Sequence, residues 1–311
     1  MSVPEAKERR EAEPPAPPAP ATMKDVARLA GVSTATVSRA LMKPEIVSAG
    51  TRELVLKAVA AAGYTPNVLA RNLRRMETRS IIVVVQNITN PFYPEIFRGV
   101  EQEALARGFS VLMGNTDNDP VRERAYAEIL RSKRADGMIL LSGKLPWPED
   151  GTDAVDRQRM PPTVLACEPM PGLGLPTVRV DNAGAAREAV AHLASLGHRR
   201  VGHLIGPPDR IISADRLRGW REAVAALGLD RDEDLAVQGD YTLASGIAAM
   251  ERLLDLDRPP TAVFAANDEM AIGAIRAVHR RGLKVPEDVS VVGFDDILFA
   301  SAIEPPLTTI A

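Results

Sequence analysis

The chain has 311 residues, 45% apolar and 25% charged, with a formal net charge of −3; these are near-average globular proportions and exclude a collagen-like or wholly disordered chain. The length allows about two or three domains, and the one cysteine, Cys167, excludes an internal disulfide or a multi-cysteine zinc site and fits a reducing, cytoplasmic compartment. No apolar run approaches the roughly 18–20 residues that cross a bilayer, and MSVPEAKERREAEPP lacks the apolar stretch of a secretory signal, so no membrane role is expected.

Residues 1–21 are charged and then rich in proline and alanine (Pro14, Pro15, Pro17, Pro18, Pro20). Such a segment buries no core and is expected to be a solvated tail. Residues 22–65 read as short amphipathic helices, and residues 66–79 as a basic linker with a short helix after Pro66. From Thr22 to Arg79 ten Lys and Arg face four Asp and Glu, a net of +6, whereas the remainder from Ser80 carries a net of −8. A small basic module on an acidic body points to a polyanionic partner at one end.

At Ser80 the pattern changes. IIVVV is a short β-branched run suited to a strand buried on both faces. A helix is predicted over 94–107, a strand at SVLMG, a helix over 121–132, and strands at GMILLS, TVLAC and TVRVD. The alternation continues with a helix over 182–196, a strand at RVGHLIG, and helices over 214–227 and 245–254. TAVFAA, a helix over 269–280 and VSVVGF close it. Strand–helix alternation at this spacing predicts an α/β protein with two lobes of doubly wound parallel sheet.

Within the basic module, Thr22 can cap a helix with Asp25 in its first turn. Val26, Leu29 and Ala30 form its apolar face, Gly31 supplies a tight turn and Ser33 caps a second helix. Val37 and Leu41 then face inward, leaving Thr34, Ala35, Ser38 and Arg39 outward, as a major-groove recognition helix requires. Small side chains let the backbone approach base edges, and Arg39 can present two parallel donors to a guanine. A third helix over 48–62 completes the module.

In the body, Asn and Asp residues cluster at strand ends (Asn87, Asn90, Asn115, Asp117, Asn267, Asp268, Asp295, Asp296), where doubly wound sheets bind ligands. With Arg216 they are suited to a polyhydroxyl ligand, because a carboxylate accepts two hydrogen bonds from a vicinal diol. Each alone is as well suited to capping a helix.

VSTATVSRAL, GYTPNVLARNL, NPFYPEIFRGVEQEA, GHRRVGHLIGPP, PTAVFAANDEMAIGA, GLKVPEDVSVVGFDD and PPLTTI together resemble the LacI/GalR family of bacterial repressors over nearly all of residues 22–311. The resemblance implies a helix-turn-helix DNA-binding domain at 22–65 and a hinge at 66–79. It implies a periplasmic-binding-protein-like core, with one lobe at 80–179 (joined by 305–311) and a second at 180–304. It implies that Thr34, Ala35 and Arg39 read bases, while Ser33, Thr36 and Ser38 position phosphates. It implies a hinge helix through Asn67, Ala70, Arg71 and Leu73, with Leu73 as a wedge in the minor groove. The implied partners are a homodimeric second copy, a pseudo-palindromic double-stranded operator and a small effector. Asp295, Arg216 and Asn267 would hold effector hydroxyls, and Phe92, Tyr93 and Tyr241 would stack on a planar group.

ATMKDVA, SRALM, DGMILLSGKLP and LPTVRVDN are similar to a family member controlled by a nucleoside, which implies cytidine as effector and a cyclic-AMP-responsive activator as partner. AANDEM and LPWPEDGTDAVDRQ depart from that member. A sugar effector therefore stays open as the alternative. The family also continues past PPLTTI and crosses back to the first lobe. A chain ending at Ala311 is expected to expose apolar surface there, and a truncated regulator unable to signal is a further reading.

No P-loop, dinucleotide fingerprint or G-x-S-x-G elbow occurs. His192, His198, His203 and His279 have no ligand-spaced partners, so neither a cofactor, a metal nor an enzymatic activity is expected.

Overall fold

The computed structural model describes residues 21–65, 77–143 and 161–311. The chain divides into two compact units, Met1–Met76 and Glu77–Ala311. The expected tail, and the expected hinge through Asn67, Ala70, Arg71 and Leu73, lie outside the described residues.

In the first unit, α1 (Met23–Ala30), α2 (Thr34–Met42) and α3 (Ala49–Ala62) close around Val26, Val37 and Val55. The Asp25 carboxylate accepts from the Thr22 backbone N–H at 3.0 Å and from its hydroxyl at 2.7 Å, which starts α1. Gly31 ends it with φ +64°, a conformation that strains any side chain. The apolar face differs from the expected one. Ala27 is buried, whereas Leu29 is 55% exposed, because α2 and α3 pack on the Val26–Ala27 side of α1.

The second unit holds two all-parallel sheets. The first is built from β1 (Ser80–Val85), β2 (Ser110–Asn115), β3 (Gly137–Leu140), β4 (Thr163–Ala166) and β5 (Thr177–Val178), in the order β2-β1-β3-β4-β5. α4 (Tyr93–Ala106) packs on Val83, Val85 and Leu141, and α5 (Pro120–Arg131) packs on Ile82, Val84 and Leu140. The β-branched run is thus buried on both faces, as its composition predicts. Ile81 and Ile139 border an apolar groove beside α4 that is open to solvent.

The second sheet repeats this topology. Its strands are β6 (Val201–Ile205), β7 (Ala236–Gln238), β8 (Ala262–Ala265), β9 (Ser290–Phe294) and β10 (Thr308–Ile310), in the order β7-β6-β8-β9-β10. One face is covered by α6 (Asn182–Ser195) and α7 (Ile211–Ala226), the other by α8 (Leu243–Leu254) and α9 (Asp268–Arg280). Gly246 and Gly273 let α8 and α9 meet backbone to backbone, since a Cβ at either would collide with the opposing main chain.

Three further expectations are corrected. Residues 305–311 belong with the second lobe, not the first: Thr308 pairs with Val292 of β9 and Leu307 packs into the α8–α9 core. The Thr309 hydroxyl also donates to Asp268 at 2.6 Å, which pins this strand to its own lobe. The linker ends before residue 79, because Asp136 accepts from Thr78 N at 2.7 Å and from Arg79 N at 2.8 Å and docks both on the first sheet. Finally, α7 begins at Ile211 rather than 214, which turns Arg210 and Arg216 toward the strand ends.

Candidate functional site

The surface of α2 offers one candidate site. Ser33 caps the helix, its hydroxyl accepting from Thr36 N at 3.1 Å, and the Ser33 and Thr36 hydroxyls lie 3.0 Å apart. Two of the three predicted phosphate-positioning hydroxyls are therefore engaged locally, and the third, Ser38, is half-buried. Thr34, Ala35 and Arg39 are exposed on one side of the helix. The first turn presents backbone N–H groups and the positive end of the helix dipole beside them, a pairing suited to anions. Val37 and Ala40 anchor the opposite face in the core.

A second site lies between the two sheets of the larger unit, at the carboxyl ends of their strands. The cleft spans about 730 Å³, including the part open to solvent. Phe92, Tyr93, Arg216, Tyr241, Asn267 and Asp295, scattered over some two hundred positions of sequence, all line it. Phe92 and Tyr93 follow β1 and meet edge to face, with centroids 5.5 Å apart.

On the second lobe, Arg216 projects from α7. Its Nε donates to Asn182 Oδ1 at 2.8 Å, an Nη donates to the Ala266 carbonyl, and the guanidinium lies 3.5 Å over the Phe294 ring. Its remaining Nη is 3.8 Å from Asp295, whose carboxyl is 10% exposed. Burial pushes the Asp295 carboxyl up to about 7, the nearby Arg216 charge opposing the shift. Asn267 is built differently: its Oδ1 accepts from Met270 N at 3.0 Å as the cap of α9, and its Nδ2 donates to the Tyr241 carbonyl at 3.0 Å. Both ends of that amide are engaged, and it holds Tyr241 in place at φ +71°. The Tyr241 hydroxyl is 2.8 Å from Ser213 Oγ, and burial raises its pKa. Positive φ also occurs at Cys167 (+70°) and Asp295 (+109°), so the cleft wall holds several residues in backbone conformations that cost energy.

Sequence reasoning missed the link between the lobes. Glu168, two residues past the end of β4, pairs with Arg210 at 3.2 Å and accepts from the Ile211 N–H at 3.1 Å. Arg210 also reaches Asn118 Oδ1 of the first lobe at 3.4 Å. Both members of the pair are buried. The position of Glu168 at a strand carboxyl end was the available signal. Other Asx residues at strand ends are turn-formers: Asn87 Oδ1 accepts from Thr89 N at 3.0 Å, and Asn115 Nδ2 donates to Asp117 at 3.0 Å. Asp268 lies beneath the cleft, holding Ile297 N at 2.9 Å. Burial pushes the Cys167 thiol up to about 11, which keeps it protonated and a poor nucleophile. No cluster of three metal-ligating side chains occurs among the described residues. No helix among them is long and apolar enough to cross a membrane.

Comparison with known proteins agrees with this geometry. A family model described as bacterial regulatory proteins, lacI family, matches residues 22–67, and one described as a periplasmic binding protein-like domain matches residues 190–311. The HTH-type transcriptional repressor CytR of Escherichia coli (strain K12) is 46% identical over 292 residues, covering 94% of this chain and 84% of that protein. The ribose operon repressor of the same organism is 39% identical over 291 residues, covering 93% and 87%. Among solved structures, the lac repressor dimer bound to operator and the anti-inducer ONPF superposes with a TM-score of 0.79 at 31% identity, covering 93% of this chain and 87% of that one.

Proposed function

Since the chain belongs to the LacI family of bacterial regulatory proteins and is a transcriptional repressor resembling CytR, we propose that its effector is a nucleoside, cytidine first, bound in the cleft between the two lobes. The observation that carries this reading is the division of the cleft. A carboxylate and a guanidinium, Asp295 and Arg216, stand on one lobe, and the aromatic pair Phe92–Tyr93 stands on the other. The first pair suits ribose hydroxyls and the second a planar base.

In this reading, Thr34, Ala35 and Arg39 contact base edges in the major groove of a pseudo-palindromic operator. Ser33, Thr36 and Ser38 contact phosphates, and the backbone N–H groups at the start of α2 support them. The chain acts as a homodimer. The hinge residues Asn67, Ala70, Arg71 and Leu73 enter the minor groove, with Leu73 as the wedge. A cyclic-AMP-responsive activator belongs to the same reading as a protein partner. The repressor works in the cytoplasm, performs no catalysis and needs no cofactor. Effector binding closes the lobes across the Glu168–Arg210 pair and weakens DNA binding. Because the coupling is thermodynamic, operator DNA must weaken effector affinity by the same factor.

The test is fluorescence anisotropy on the DNA upstream of the repressor's own gene, titrated with and without cytidine at fixed salt, since phosphate contacts make the affinity salt-dependent. Tight binding released by cytidine is expected, and Asp295→Ala should bind DNA normally while losing the release. The second reading, a sugar effector, rests on Asp295 and Arg216 being equally suited to a sugar diol. Release by ribose and not by cytidine would favour it.

A further inference from the structure

Most polar side chains lining the cleft already have protein partners. Arg216 is held by Asn182, Ala266 and Asp295; Asn267 by Met270 and Tyr241; Arg210 by Glu168. Gln86 differs. It follows the last residue of β1 and lines the cleft wall of the first lobe, and its side-chain Nε2 is buried without a hydrogen-bond partner among the described residues. Buried amides are nearly always paired, because a donor taken out of water and left unpaired is destabilising. Its position is informative too. The carboxyl end of a strand is where a doubly wound sheet meets its ligand, and the aromatic pair Phe92–Tyr93 lies on the segment that leaves the same strand.

We propose that Gln86 is a specificity-determining residue for the effector: its amide hydrogen-bonds the polar edge of the planar base, opposite the hydroxyls held at Asp295. The inference rests on the nucleoside reading above and deepens it. A carboxamide is planar and carries a donor and an acceptor side by side, the complement of a nucleobase edge, whereas the carboxylate–guanidinium pair across the cleft complements a diol. The two ends of the cleft thus differ in chemistry, and this orients the ligand: ribose toward the second lobe, base toward the first. The strand position next to the rings lets one segment supply both the stacking surface and the edge contact.

The experiment is isothermal titration of cytidine, uridine, adenosine and ribose into the full chain and into Gln86→Leu and Gln86→Glu. Operator binding without effector is measured alongside to report folding. Gln86→Leu is expected to weaken at least one nucleoside about tenfold while ribose affinity stays within twofold. Gln86→Glu keeps the shape and replaces the donor by an acceptor, and should change the rank order of the nucleosides. Unchanged nucleoside affinities in both variants, with operator binding intact, would overturn the role of Gln86 and leave the nucleoside reading standing. A wild-type chain that takes ribose and none of the three nucleosides would overturn both.

Discussion

The two lobes have the same strand order but are built to different standards. The second sheet is clamped between α6–α7 and α8–α9, and its central strands β6 and β8 are almost completely buried. The first carries α4 on one face and α5 on the other among the described residues, with Ile81 and Ile139 beside an open groove. The difference is visible in the cleft. The second lobe presents a rigid set, Arg216, Asn182 and Asn267, whose bonds are already made. The first presents Gln86, Phe92 and Glu168, and both carboxylate oxygens of Glu168 accept from groups across the cleft. One lobe is a preformed half-site and the other completes itself through its neighbour, which is the asymmetry expected of a hinged binding protein.

The largest test of that contrast is in the cores. Trp220 is buried and donates from Nε1 to the Val201 carbonyl at 3.2 Å. Trp220→Ala should cost about 3–5 kcal/mol, whereas Ile139→Ala on the looser sheet should cost no more than about 2 kcal/mol. Urea unfolding measures both, and equal costs would erase the distinction.

A pH effect of similar size is expected from His203. It stacks on Phe264 with centroids 4.8 Å apart, and its Nδ1 is 2.9 Å from the Phe264 carbonyl oxygen. Burial depresses its pKa from 6.5 to about 4, so the unfolded chain takes up the proton first as pH falls. Its contribution is complete above pH 6.5, declines between 6.5 and 4, and totals on the order of 3 kcal/mol. His203→Phe should remove that slope in a pH series of melts. Asp295 acts in the opposite sense. Its raised pKa makes the folded state the better proton binder between 3.8 and about 7, so stability falls as pH rises through that window. Comparing the melts of Asp295→Asn and His203→Phe separates the two slopes.

Across the cleft, Glu168→Gln removes the nearer of the two carboxylates beside Arg210, leaving Asp209 at 3.9 Å, and should cost about 2 kcal/mol. It should also alter the effector midpoint in the anisotropy assay. A variant with wild-type stability and wild-type release would remove the Glu168–Arg210 pair from the account of release. The smallest effect lies outside both lobes. Ser33→Ala removes the cap of α2 and should cost about 1 kcal/mol in the first unit, weakening operator binding while leaving effector affinity of the larger unit unchanged.

Much of this was legible in the residues. Gly31, Ser33 and the Val26–Val37 spacing specify the helix pair, because capping and turn chemistry act within a few residues. IIVVV and its successors specify a buried parallel sheet through composition alone. Asp295 and Arg216 were readable as polar groups at an element end. The misjudged positions share a cause. Leu29 has an apolar side chain but sits on the side of α1 that no helix covers. Residues 308–310 are too short to declare which sheet they extend. Asn267, which reads as a ligand-binding amide, lines the cleft, and what its neighbours in sequence did not announce is that it also holds the Tyr241 carbonyl.

By itself, then, the sequence determined the element types, the two-sheet architecture and the chemical character of the strand ends, since each depends on local pattern and composition. Only the tertiary structure decided that Arg210 would meet Glu168 42 positions away, that β10 would join the second sheet, and that Nε2 of Gln86 would be buried without a partner among the described residues. These depend on which surfaces the two lobes turn toward each other, and that is fixed by long-range packing rather than by any neighbour in the chain.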